Sequence, residues 1–195
     1  MGRTDEELRQ MLKRDAEDER FVFTEPMLEE ESREFIRTAR TLLEHELLVS
    51  AVDARKQADY YWEGNESARE EGVAEELSFV GTRVRILNGS LQMEWFRNRT
   101  RPDQGAGKQV FSTHLKKGKG YRYSDSLFKK EPKWARDAIK LVEDRYELLR
   151  KRAAILSAMR KNLRDYEQLL DECFPGNDDE GDQAKSAGSE QEKPE

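Results

Sequence analysis

Thirteen lysines and arginines lie between Phe79 and Lys133, against four acidic residues, Glu94, Asp103, Asp125 and Glu131. The local excess of nine positive charges sits in a chain whose formal net charge is −6, which leaves −15 for the remainder. A positive island between acidic flanks is the charge pattern of a surface for a polyanion. Within it Arg97, Arg99 and Arg101 recur at every second residue. On a strand that spacing puts all three on one face, where they can track successive phosphates or reach into a groove. Arg83 and Arg85 share the spacing, and Lys108 and His114 follow. Lys116-Lys117-Gly118-Lys119-Gly120 is a basic turn whose glycines let a nucleic-acid backbone come close. Tyr121, Arg122 and Tyr123, with Trp95 and Phe96 upstream, place rings among the charges, suited to stacking on unpaired bases. The simpler account of the same charges is a solvated sheet face whose edge is guarded by Lys and Arg. The acidity of the whole chain favours that account, and the local charge favours binding.

Catalytic chemistry finds little support in the residue inventory. The two histidines, His45 and His114, lie far apart, and Cys173 is the single cysteine. No HExxH, CxxC or paired-histidine spacing is present, so no metal site is expected. Gly105-Ala106-Gly107-Lys108 has the look of a phosphate loop, but Gln109 replaces the required Ser or Thr, and Pro102 stands where the first glycine belongs. A nucleophile elbow, GxSxG, is missing. A DNA-nicking relaxase needs a close histidine pair with its tyrosine, and the chain has none. The many carboxylates follow the spacing of solvated helix faces, which lack the burial that tunes a catalytic pair. The expectation is a binding protein, not an enzyme, with no cofactor.

The composition frames this reading. In 195 residues, 39% are charged and 35% hydrophobic, which fits long exposed helices around a small core rather than one large core. One cysteine allows no intramolecular disulfide and suits a reducing compartment. No apolar run approaches the roughly 18 residues of a membrane helix. The charged start, MGRTDEELRQ, lacks a secretory signal. A cytoplasmic location is expected.

The elements that must position the basic residues follow from periodicity. Residues 1–23 form a charged segment in which Leu8, Met11 and Leu12 have helical spacing. Thr24-Glu25-Pro26 predicts a helix start, and an apolar stripe from Leu28 through Leu47 to Trp62 predicts a long helix over 24–62. Gly64-Asn65 reads as a break before a short helix closed by Gly72. Val80 to Leu87 alternates as a strand, Asn88-Gly89 is the strongest short hairpin signal, and Leu91, Met93 and Trp95 alternate on the return strand. A third strand is expected near 108–115 and a fourth, short one at Tyr121-Arg122-Tyr123. Ser124 or Asp125 is read as the cap of a brief helix. Pro132 then opens the longest helix, 132–173. Ala135, Val142, Leu149, Leu156, Leu163 and Leu170 stand seven apart, with Ala138, Arg145, Arg152, Met159, Tyr166 and Cys173 as companions. That seam predicts pairing with the 24–62 helix, of the same chain or of a second copy. Trp62, Trp95 and Trp134 are expected in the core. The acidic residues 174–195 are expected to be disordered.

Several stretches together resemble the MobI family of conjugative transfer proteins. They are Trp62, Ala68-Arg69-Glu70-Glu71-Gly72-Val73, a hairpin carrying Met93-Glu94-Trp95-Phe96, Phe111-Ser112-Thr113-His114-Leu115-Lys116-Lys117, Tyr121-Arg122-Tyr123-Ser124, and a C-terminal helix opened by Trp134. The likeness covers about residues 60–170. It implies an auxiliary protein of bacterial conjugation that acts at the origin of transfer of mobile elements such as plasmids, beside a separate relaxase that nicks the DNA.

The combined expectation is a single α+β domain over 24–173: an antiparallel sheet of three or four strands flanked by two long, paired helices. Its sheet and basic turns would contact DNA, and helix pairing would make a homodimer suited to a two-fold or repeated site. The alternative is a non-enzymatic helical adaptor whose basic face docks an acidic protein partner.

Overall fold

A computed structural model describes residues 4–12, 24–102 and 108–175. The 174–195 tail is thus, beyond Pro175, outside the described residues, as are residues 1–3, 13–23 and 103–107. The elements run α1 (Asp5–Leu12), α2 (Glu25–Glu71), β1 (Val80–Leu87), β2 (Ser90–Pro102), β3 (Lys108–His114) and α3 (Lys133–Cys173), with short 3-10 turns at Ala74–Glu76 and Asp125–Phe128. They form two compact units, one from residues 1–38 and 163–195, the other from 39–162.

In the first unit, α1 opens on a reciprocal cap. Glu7 N–H donates to the Thr4 hydroxyl, and Thr4 N–H donates to the Glu7 carboxylate at 2.7 Å. Thr24 supplies the carbonyl that starts α2, accepting from the N–H groups of Met27 and Leu28. The start of α2 and the end of α3 meet through Arg33 and Asp171 at 3.0 Å and through an edge-to-face contact of Phe35 on Tyr166. Cys173, read from sequence as a small seam residue, is exposed.

The second unit holds the sheet, ordered β1-β2-β3 and antiparallel throughout. The hairpin turns where expected: Asn88 and Gly89 have φ of 49° and 70°, the left-handed pair that a type I′ turn requires. Val80 and Thr82 of β1 and Leu91, Met93 and Trp95 of β2 face inward and are buried. Against them pack Ala54 and Tyr61 of α2 and Val142, Tyr146 and Leu149 of α3. Trp95 has no exposed surface and lies among the rings of Tyr61, Phe128 and Tyr146. Trp62 and Trp134 pack at the margin of this core. The two long helices pair within one chain, through ion pairs of Asp53 with Arg145 and Glu46 with Arg152.

Three expectations need correction. The long helix does not stop at Trp62 or break at Gly64-Asn65; it runs to Glu71. Tertiary contacts override local preference there. The Asn65 amide is buried and donates to the Ser78 carbonyl, and Gly64 leaves room for the Trp134 ring, which a Cβ would approach to 3.3 Å. The stop is Gly72, with φ +69°. Second, Tyr121–Tyr123 is not a strand, and the sheet has three. Side chains of α3 take the place of a neighbouring strand: Tyr123 N–H donates to Glu143 and the Tyr121 carbonyl accepts from Arg150. Third, all six residues of the Ala135–Leu170 row are buried, but of their companions only Ala138 is, while Met159 and Tyr166 are exposed. The second buried row of α3 in this unit is Ile139 and Tyr146. Here α3 faces both α2 and the sheet, which demands a wider apolar arc than a two-helix seam.

Candidate nucleic-acid interface

The pleat divides the basic residues between the two faces of the sheet. Arg97 and Arg99 share parity with Trp95 and so point to the helix-backed side. Arg97 is half-buried; its guanidinium donates to Glu131 at 2.7 Å and to the Leu127 carbonyl. Arg99, two residues farther out, is exposed. Arg101 and Lys108 lie in β2 and β3, with side chains outside the described residues. Arg83 and Arg85 project from the opposite face and converge on Glu94, at 2.8 and 3.2 Å. Burial pushes the Glu94 carboxyl up, but the hydrogen bond from Arg83 and the charges of Arg83 and Arg85 outweigh it and hold the group below its usual range. His114 stands on the same face, 3.8 Å from Glu94. Arg122 pairs with Asp144 and Glu147 of α3. The island is therefore not one continuous row: Arg83, Arg85, Arg97 and Arg122 already have carboxylate partners. Replacing Arg97 would disturb the fold, so a joint substitution of Arg97, Arg99 and Arg101 does not isolate a ligand contact.

What positions the basic turn is a buried pair on α3. Glu143, with 1% of its side chain exposed, accepts from Trp95 Nε1 at 2.7 Å, from Tyr123 N–H at 2.9 Å and from both Nη atoms of Arg150. Arg150 also donates to the carbonyls of Met93 and Tyr121. One carboxylate and one guanidinium thus tie β2, the 115–124 segment and α3 together, with both charges compensated. Tyr123 belongs to this packing and is buried, with the Arg150 guanidinium 5.1 Å from its ring. It is core, not a stacking surface.

Outside the pair lies a cleft of about 410 Å³ lined by His114, Lys117, Tyr121, Arg150, Gln92 and Ser157, among others. Tyr121 is 44% exposed, and the Lys117 ammonium lies 5.9 Å from its ring. Lys117 also donates to the Gly120 carbonyl, which closes the turn. Burial, and then the charge of Arg150, push the Lys117 ammonium below the ordinary lysine range. Arg150 itself is balanced by Glu143, so the positive group this cleft offers an anion is Lys117. Lys116 and Lys119 are exposed on the same turn, and Gly118 adopts φ +84°. Sequence reasoning found His114, Lys117 and Tyr121 but missed Gln92, Arg150 and Ser157. Arg150 was legible only as a charged residue next to an apolar heptad position. A second basic group lies around the start of α3, where Arg136 donates to the carbonyls of Lys129 and Glu131, and Lys129 and Lys130 are exposed. Among the described residues no cluster of His, Cys, Asp and Glu is arranged to hold a metal ion.

Fold and site together define an α+β protein with a three-stranded sheet backed by a helix pair and a basic, tyrosine-lined cleft beside it. The family model described as MobI protein matches residues 50–164, more than half of the chain, and the chain belongs to the MobI family. It is thereby a conjugation-related mobilisation protein. The match takes in the whole sheet, most of α3 and every residue named in the cleft. Neither a curated protein nor a solved structure matches the chain. Among the described residues no helix is long and apolar enough to cross a membrane.

Proposed function

We propose that this protein binds DNA at an origin of transfer and assists a separate relaxase in starting mobilisation, without being an enzyme itself. The observation that carries this reading is the convergence of His114, Lys117 and Tyr121 on one cleft with Arg150 behind them. Lys117 and the exposed Lys116 and Lys119 engage phosphates, and Tyr121 offers a ring to a base. Arg99, Lys129 and Lys130 add positive charge at the far end of the sheet. The negative remainder of the chain limits non-specific adhesion to DNA and offers acidic surface to protein partners. The partners in this reading are origin-of-transfer DNA, the relaxase and a second copy of the chain, in the cytoplasm.

The test is fluorescence anisotropy with duplex and single-stranded DNA from the transfer origin of the host element, over a range of salt. Tyr121→Ala weakens binding about tenfold if its ring stacks on a base. Joint replacement of Lys116, Lys117 and Lys119 by Ala lowers the slope of log affinity against log salt by about 2–3. Both variants should keep the wild-type circular dichroism. Unchanged affinity and slope in both would overturn the cleft as the contact surface. Protein that ignores DNA at low salt yet retains the relaxase would point to the adaptor instead.

A further inference from the structure

Between α2 and α3 of the 39–162 unit, the ion pairs Glu46–Arg152 and Asp53–Arg145 separate two kinds of apolar row. On one side lies the buried seam of Leu47, Ala54, Leu149 and Leu156. On the other, three or four residues from each ion-pair member, stand Leu42 and Val49 of α2 and Leu141, Leu148 and Ile155 of α3. These five are between 41% and 62% exposed, apart from Leu42 at 63%. Met159 extends the α3 row at 50% exposure. Spacing of seven within each row is that of a helix that contacts a second neighbour, and a lone two-helix pair has no use for it.

We propose that this face is a homodimer interface, in which two chains stack their helix pairs into a four-helix bundle around a two-fold axis parallel to the helices. The central charges select a second copy as the occupant. The α2 members, Glu46 and Asp53, are acidic, and the α3 members, Arg145 and Arg152, are basic. A two-fold axis along the bundle sets α2 of one chain against α3 of the other, so each acidic row meets a basic row and the apolar rows flank them. The face is thus complementary to itself in charge as well as in shape. Its size agrees: six half-exposed side chains leave roughly 300 Å² of apolar surface, most of the non-polar part of a standard interface with about 800 Å² per partner. The tail from Gly176 to Glu195 has no large apolar side chain with which to cover it.

The inference rests on the proposed function only for the presence of a second copy, and it is tested without DNA, so its failure leaves the DNA reading standing. Sedimentation equilibrium of the full chain should show a dimer whose dissociation constant rises about 100-fold or more in the Leu148→Glu/Ile155→Glu variant. Leu48→Glu, which helix periodicity places off this face, should leave it unchanged. The ion pairs set Val49 and Leu148 at the same level. In a Cys173→Ser background, mixing Val49→Cys chains with Leu148→Cys chains should therefore yield an oxidised cross-linked dimer, and Leu148→Cys chains alone should not. A monomer at every concentration, a dimer indifferent to the double variant, or cross-linking of Leu148→Cys chains with themselves would each overturn the proposal.

Discussion

At the scale of single residues, the most consequential groups are charges that satisfy one another inside the chain. Glu143 and Arg150 are the clearest case. Breaking a buried pair leaves an uncompensated charge, so Glu143→Gln should lower stability by about 3–5 kcal/mol. Urea unfolding followed by circular dichroism measures it, and a loss below about 1 kcal/mol would contradict the role given to the pair. Arg97 shows why the arginine row was only half legible. Its period-two spacing is visible in sequence, but that period says nothing about which face is covered. The parity shared with Trp95 puts Arg97 against Glu131, a partner 34 positions away. Residues on the 116–121 turn were easier to read, because a short glycine-rich basic turn stays at the surface whatever the fold does around it.

At the scale of elements, β1 and β2 were legible almost to the residue, since alternation and an Asn-Gly turn fix both the period and the register. A feature of β1 was not legible. Gly81 pairs with Phe96 on the face away from the core, and Trp62 reaches over it, its indole N–H donating to the Thr82 carbonyl. A Cβ on Gly81 would meet the Phe96 ring at 2.6 Å and the Trp62 ring at 2.7 Å. Gly81→Ala should therefore cost about 1–3 kcal/mol through overpacking, read as a lower thermal midpoint. A Gly81→Ala variant paired with Phe96→Leu should recover part of that loss; no recovery would show that the contact is not the cause. The same limit of local reading explains α2. Gly64-Asn65 carries the signal of a break, and only the Trp134 ring and the Ser78 carbonyl make a continuous helix the better solution.

At the scale of the whole molecule, charge and core make separate demands. The two hydroxyl-bearing rings at the centre of the second unit, Tyr61 and Tyr146, are pushed up to about 12 by burial, from an ordinary 10.0. Tyr123 is shifted the same way for the same reason. Below pH 10 neither the native nor the unfolded chain ionises these groups, and their contribution to stability is complete. Above pH 10 the unfolded chain releases protons that the native chain keeps, so stability falls as pH rises toward about 12. The urea midpoint should drop across that window, and a flat midpoint there would refute the burial of both tyrosines.

Sequence alone determined the class of fold, the hairpin register, the main buried row of α3, the family resemblance and the concentration of positive charge between Phe79 and Lys133. All of these rest on spacing along the chain, which periodicity and turn chemistry convert directly into local structure. Tertiary structure decided which of those charges already have partners, why α2 runs through Gly64, and why Tyr123 packs on α3 rather than in a fourth strand. Each of these depends on groups far apart in sequence. A buried carboxylate such as Glu143 gathers a tryptophan, a backbone N–H and an arginine from three segments, and no local pattern records that meeting.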